Sequence, residues 1–245
     1  MVETFHIAAQ YLTTVAISFL DKKEDDSHTN LGWKDGALHT HSLSEHNCRL
    51  SLDYKSFSLK WFNDIGFQES LELHGKKHSE IVHWIRQTSL KAKKSLVYQY
   101  SLHFELPYEP ISSDFTFEKP SDEITRKLIQ NRHLAQRVLT QVLDKEVDIR
   151  VWPHHFDTGA FFWVNDELGI GLGMAVPDAM IDDFYLYVSA YKGHNAVELS
   201  STINLEKGRY YNEAWKGFAL PVSGITEADA SAFLISAIDQ YYYQK

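Results

Sequence analysis

The stretch CRLSLDYKSFSLKWF, Cys48 to Phe62, contains two runs in which apolar and polar residues alternate. Leu50, Leu52 and Tyr54 fall on one side of the first run, and Phe57, Leu59 and Trp61 on one side of the second. A period of two marks a strand with one buried face. Two such runs around Lys55-Ser56 read as an antiparallel hairpin, the arrangement that can keep one face wet.

Outward from this hairpin the period changes. Phe5, Ala8, Leu12, Val15 and Phe19 make a helical stripe, which predicts a helix over Thr4–Phe19. Another helix is expected from Ser79. A long one spans Ser121 to Leu143, with Ser121 as N-cap and Leu128, Ala135, Leu139 and Val142 inward. Thr226 and Asp229 form a capping-box variant that opens a last helix toward the C-terminus. Further strands are expected at YQYSLHFEL, with Tyr98, Tyr100, Leu102 and Phe104 aligned, and at FYLYVSAY. In the latter, Phe184, Leu186, Val188 and Ala190 make a core face, and Tyr185, Tyr187, Ser189 and Tyr191 an amphipathic one. The expected fold class is α+β, predominantly antiparallel sheet with terminal and central helices.

The segment from Pro107 to Pro120 carries three of the six prolines and is the best internal boundary. Residues 1–245 are expected to form a single compact unit, with possible sub-halves 1–107 and 121–245. HIAAQYLTTV from His6 and HLAQRVLTQV from His133 match at five of ten positions. That match suggests two related α+β halves about a pseudo-twofold axis, each opening on a helix. Unequal spacing further along speaks against a strict repeat.

Composition excludes several classes. A net charge of −9 argues against a nucleic-acid partner. The basic clusters at Gly75 (GKKH) and Lys91 (KAKK) are too small to reverse that. Cys48 is the only cysteine, so no intramolecular disulfide forms, in keeping with a reducing compartment. The first twenty residues lack a signal peptide's basic region, and their apolar runs are too broken to span a membrane. A cytoplasmic location is expected.

Few motifs carry chemistry. Asp157-Thr158-Gly159-Ala160 has the composition of an aspartic-protease loop, but that chemistry needs two loops sharing a proton, and no second exists. His39, His41 and Glu45 have the spacing of a cupin metal motif without its flanking glycines or downstream histidine. Gly169, Gly171 and Gly173 lack the Lys-Ser/Thr of a phosphate loop and mark a flattened strand or a close backbone approach. No cofactor is expected, and no metal site is assigned.

RVWPHHFDTGAFF, Arg150 to Phe162, is the richest polar stretch. Pro153 should end a strand at a sheet edge. If the backbone stays extended beyond it, His155 and Asp157 share a face, where the carboxylate can orient an imidazole. Alternatively, Asp157 closes a bend by accepting backbone N–H groups.

WPHHFD, Trp152 to Asp157, resembles an element of an uncharacterised bacterial family, a domain of unknown function. SHTNLGWKDGALHT, LSLDY, FYLYVSAY and AWKGFALPVSGI are similar to other strands and turns of that family along nearly the whole chain. Family members commonly read Phe-Asp-Leu-Ala where this chain has FDTGA. The resemblance implies no known activity, cofactor or catalytic residue.

The functional expectation is a small-molecule binder whose pocket is lined by Trp152, His154, His155, Tyr185, Tyr187 and Trp215, with Asp157 fixing the bend. Aromatic walls with a few polar tips are what such pockets are made of. One alternative is a metal-assisted hydrolase in which His155 and Asp157 join His39 and His41. The other is an interaction module that dimerises through its tyrosine-bearing strand face.

Overall fold

A computed structural model describes residues 2–92, 97–199, 203 and 205–242. The chain is α+β, with four α-helices among the described residues and two antiparallel sheets of five and seven strands. Two compact units emerge: Met1–Gln130 with Val151–Phe156, and Asn131–Arg150 with Asp157–Lys245.

In the first unit, α1 (Glu3–Phe19) precedes a meander of β1 (Gly32–Lys34), β2 (Ala37–His39), β3 (Arg49–Asp53), β4 (Ser58–Phe62) and β5 (Gln68–Glu72), adjacent in that order. Asp35 and Gly36, at φ 52° and 79°, supply the left-handed pair that a two-residue hairpin turn requires. The predicted hairpin is β3–β4, with Leu50 opposite Trp61 and Leu52 opposite Leu59. Its six inward side chains have no solvent exposure. Phe5 of α1 packs on them, its ring centroid 4.5 Å from Tyr54 and 5.5 Å from Phe57. α1 is buried on all sides from Phe5 to Ala16, wider than a single stripe. Thr13 and Thr14 accommodate this by donating to the carbonyls of Ala9 and Gln10.

The unit continues into α2 (His78–Lys91), as predicted. The strand expected at Tyr98–Phe104 is absent. Burial does alternate there, but the extended chain runs beside helices rather than in a ladder. The Tyr98 hydroxyl lies 2.9 Å from Thr14 Oγ1 of α1, and the Tyr98 carbonyl accepts from Arg86 of α2. Period-two burial requires only an extended backbone over an apolar surface. The basic cluster at Lys91 runs into residues 93–96, outside the described residues.

α3 (Asp122–Val142) starts on Ser121, whose Oγ accepts the Ile124 N–H at 3.3 Å. Val142 is only half-buried, and Val138 takes the inward place expected of it. His133 lies well inside α3, whereas His6 lies in the opening turns of α1, so the matched decapeptides do not both open a helix.

The second unit's strands run β7 (Asp157–Trp163), β8 (Leu168–Ala175), β9 (Tyr185–Lys192), β12 (Lys216–Pro221), β11 (Arg209–Asn212), with β10 (Asn195–Ala196) also on β9; β6 (Arg150–Trp152) falls at the sequence boundary between the units. α4 (Glu227–Tyr242) packs on β9 and β12. It opens with the predicted box: Asp229 accepts the Thr226 N–H at 2.9 Å, and Thr226 accepts the Asp229 N–H at 3.1 Å. Phe184, Leu186, Val188 and Ala190 are at most 4% exposed and form the core face. Arg132 of α3 donates to Thr158 at 2.6 Å, and Arg137 to Glu227 at 2.9 Å, which ties α3 to β7 and α4. Among the described residues no helix is long and apolar enough to cross a membrane.

Candidate functional site

The other face of the second sheet is set by register. Gly173, Gly171 and Gly169 on β8 pair with Tyr187, Ser189 and Tyr191 on β9, and Gly159 on β7 pairs with Gly173. Paired residues share a face, so the glycines clear a path beside the tyrosines. The Tyr187 side chain fills it, reaching over β8 to donate its hydroxyl to Asp157 Oδ2 on β7. A Cβ placed on Gly159 would lie 2.6 Å from the Tyr187 hydroxyl, and one on Gly173 would lie 2.8 Å from it. A Cβ on Gly169 would strike the Phe161 ring. Gly169 and Gly173 therefore sit at close approaches, whereas a Cβ on Gly171 would make only ordinary contact, 3.6 Å from Ser189 Oγ.

Asp157 is 7% exposed, and its Oδ1 has no hydrogen-bond partner. Two residues from Tyr187 a second phenol–carboxylate pair repeats the arrangement: Tyr185 donates to Asp178 Oδ2 at 2.6 Å. Asp178 Oδ1 accepts the backbone N–H groups of Met180 and Ile181, which fixes its loop. Burial first, then the neighbouring Asp157 charge and hydrogen bond, pushes the Tyr187 hydroxyl well above its ordinary pKa. Burial, then the bond to Asp178, does the same for Tyr185. Both phenols stay protonated donors.

Aromatic rings border these pairs. The Trp215 centroid lies 6.4 Å from that of Tyr187 at 86°, and 6.2 Å from that of Tyr211 at 55°. Gly217 makes room for the indole, since a Cβ there would lie 2.5 Å from its ring carbons. Arg209 stacks its guanidinium over Tyr211 at 4.3 Å. Tyr187, Tyr211 and Trp215 are half-buried.

The seven sequence-predicted residues divide between the units at Phe156/Asp157. Asp157, Tyr185, Tyr187 and Trp215 form the group just described. Trp152, His154 and His155 form a ring cluster in the first unit, with centroids 6.2 Å apart for Trp152–His154 and 4.2 Å for the two histidines. His154 is half-buried and His155 exposed. β6 does end before Pro153, but the chain then turns, with Phe156 at φ 59° and its N–H on the Trp152 carbonyl at 2.7 Å. The strand alternation that would align His155 with Asp157 does not apply. This backbone bond closes the bend, and the Asp157 carboxylate goes to Tyr187 instead.

Sequence reading missed what holds that turn. His6 Nε2 and Gln10 Nε2 both donate to the Pro153 carbonyl, at 2.7 and 2.9 Å, and the His6 ring stacks on Phe156 at 4.8 Å. Two polar residues four apart inside an otherwise apolar helix were the available signal. Arg132 and Asp178 were also missed.

The remaining histidines are dispersed. β2 ends at His39, so His39 and His41 do not share a strand face. His39 Nε2 lies 3.3 Å from the Lys34 carbonyl, and His41 Nε2 lies 2.8 Å from Asn30 Oδ1. Among the described residues no three His, Cys, Asp or Glu side chains are grouped to hold a metal. A shallow groove of about 390 Å³ opens in the first unit, lined by Leu71, Lys76, Ser79, Glu80 and His83. The N–H groups of His78 and Ser79 beside it are taken by the carbonyls of Phe115 and Ser113, so it offers no anion site.

No protein-family model, curated protein or solved structure matches the chain.

Proposed function

We propose that the second unit binds a small molecule on the tyrosine-bearing face of its sheet, with Asp157 as the polar anchor. The observation that carries this reading is the unpartnered Asp157 Oδ1, buried beside an Oδ2 already engaged by Tyr187. A buried acceptor without a donor costs about 1–3 kcal/mol, and more for a charged group. Such groups mark strain, a functional role, or a place that a water or ion serves. The half-buried rings of Tyr187, Tyr211 and Trp215 offer the apolar surround that ligand sites use. Binding is favoured over metal-assisted hydrolysis because the carboxylates here are met by phenols rather than by imidazoles or further carboxylates.

Thermal unfolding in a panel of amines, amides, polyols and carboxylates tests it, on the wild type, Asp157→Asn and Tyr187→Phe. At least one compound should stabilise the wild type and lose that effect in both variants. Equal shifts in all three proteins would place the site elsewhere.

One observation favours a second reading, an aromatic contact surface: Phe161 and Trp163, at the outer end of the same face, are 43% and 58% exposed. Sedimentation giving a monomer at high micromolar concentration would remove self-association. The acidic balance supports partners other than nucleic acid, and the lone, buried Cys48 supports a cytoplasmic setting.

A further inference from the structure

We propose that the open edge of the first sheet, where β5 runs beside α2, binds an extended peptide segment in which basic and apolar residues alternate. The sheet ends at β5. Leu73 N–H donates to the Phe57 carbonyl at 3.0 Å, and Asn63 N–H to the Phe67 carbonyl at 3.1 Å, which sets the phase of the β4–β5 ladder. An antiparallel ladder alternates bonded and non-bonded pairs, so Glu69 and Leu71 turn their backbone groups toward β4. Gln68, Ser70 and Glu72 turn theirs away from it. All three residues are exposed, and among the described residues none of these outward N–H and C=O groups has a partner. The edge is a row of alternating donors and acceptors, and the chemistry that matches it is another extended backbone.

Side chains choose the partner. Beside the edge lies the groove of about 390 Å³ that Leu71 shares with Lys76, Ser79, Glu80 and His83. An added strand, antiparallel like every other pair in this sheet, would send alternate side chains to two faces. Residues opposite Ser70 and Glu72 lie on the outer face, and the residue between them lies over Leu71 in the groove. Charge in the groove is already matched: Lys76 Nζ is 3.9 Å from Glu80 Oε1, and Glu80 Oε2 accepts the Lys77 N–H at 2.9 Å. An apolar side chain therefore suits the half-buried Leu71. Glu69 is held by Lys91 of α2 at 2.7 Å. On the outer face Lys60 of β4 is held by Asp53 at 2.7 Å, whereas the exposed Glu72 has no ion pair among the described residues. A basic residue opposite Glu72 supplies its missing cation. A second copy of the same edge does not, because β5 reads QESLE and no register of that strand on itself brings a lysine or arginine to Glu72.

The test titrates acetyl-Lys-Val-Lys-Val-Lys-Val-amide into the intact chain at neutral pH, followed by NMR chemical-shift perturbation. The amides of Gln68, Ser70 and Glu72 should shift. In the expected register the lysines turn their backbone groups toward β5 and the valines turn theirs away. N-methylation of the lysines should therefore abolish binding, and N-methylation of the valines should leave it. Equal binding of the two methylated peptides would reduce the effect to general attraction by a chain of net charge −9 and overturn strand addition. Ser70→Pro removes an outward N–H, which an edge strand tolerates, and should lower affinity about tenfold. Glu72→Lys, an exposed change that serves if the proline variant fails to fold, should lower it severalfold. The same variant should gain binding of acetyl-Glu-Val-Glu-Val-Glu-Val-amide, which the wild type should not bind. Affinity unchanged in both variants, or no shift at millimolar peptide, overturns the proposal.

Discussion

The face of the first sheet that meets α1 buries Leu50, Leu52, Leu59 and Trp61 completely, each against large apolar neighbours. The tyrosine-bearing face of the second sheet instead sets phenols against glycines, with two carboxylates at their tips. Both units run helix, antiparallel sheet, helix, so the contrast lies in side chains rather than in element order. On that face of the first sheet these four positions all contribute packing atoms. In the second, three glycines of β8 forgo packing, which weakens a strand. Here Gly173, with Gly159 of β7, lets Tyr187 cross to a buried carboxylate. A sheet that keeps such a costly arrangement points to its use.

Substitutions can break this contrast. The largest expected effect is in the packed sheet: Trp61→Ala should cost about 3–5 kcal/mol in urea unfolding, from lost transfer energy and the cavity left behind. A loss under 1 kcal/mol would mean that this face is not the packed one. Next comes Gly173→Ala, where the sign is diagnostic. Alanine within a strand ordinarily gains about 0.5–1 kcal/mol over glycine. At this position the new Cβ meets the Thr158 carbonyl and lies 2.8 Å from both the Gly159 Cα and the Tyr187 hydroxyl. Backbone on one side cannot yield, so destabilisation of about 1–3 kcal/mol is expected. A stabilised variant would sink the account of the glycines.

Tyr187→Phe isolates the polar half of the argument, since it keeps the ring and leaves both Asp157 oxygens without a donor. The expected loss is about 1–3 kcal/mol. Because the folded pKa of Tyr187 is raised, its contribution is full below the ordinary tyrosine value near 10 and lost as pH climbs through the folded value. The wild type should therefore lose more stability than the variant between neutral and strongly alkaline pH. Parallel curves would show that the phenol gains nothing from its partner.

How far the sequence carried depended on whether a feature was local. The β3–β4 hairpin was readable because the alternation of Leu50, Leu52, Leu59 and Trp61 sits within one short stretch. The α4 cap was readable because Thr226 and Asp229 lie one turn apart. At Tyr98–Phe104 the same alternation misled, because a period of two reports exposure and says nothing of what the backbone bonds to. The site was readable only in pieces. The two faces of β9 follow from its own residues, but the link from Tyr187 to Asp157 spans 30 positions and depends on the register of β8 between them. The clamp of His6 on Pro153 spans 147 positions, and neither end predicts the other.

The smallest expected effect comes from comparing the two sheets' carboxylates. Asp53, at the end of β3, is part-exposed and well served: Lys60 donates at 2.7 Å and the Ser56 N–H at 2.8 Å. Burial works against its charge, yet the bonds from Lys60 and Ser56 outweigh burial and hold the carboxyl below its usual pKa. Its contribution is then present above the unfolded value near 3.9 and lost as pH falls through the folded one. Lys60→Met removes the ion pair and keeps the apolar stem against the sheet, so only about 0.2–1 kcal/mol should go at neutral pH. That loss should shrink toward zero in acid, where Asp53 is protonated in both proteins. The ordering is the sharper test. If Lys60→Met costs as much as Tyr187→Phe, burial has not made the Asp157 pair different in kind from a surface ion pair, and the case for Asp157 as an anchor fails with it.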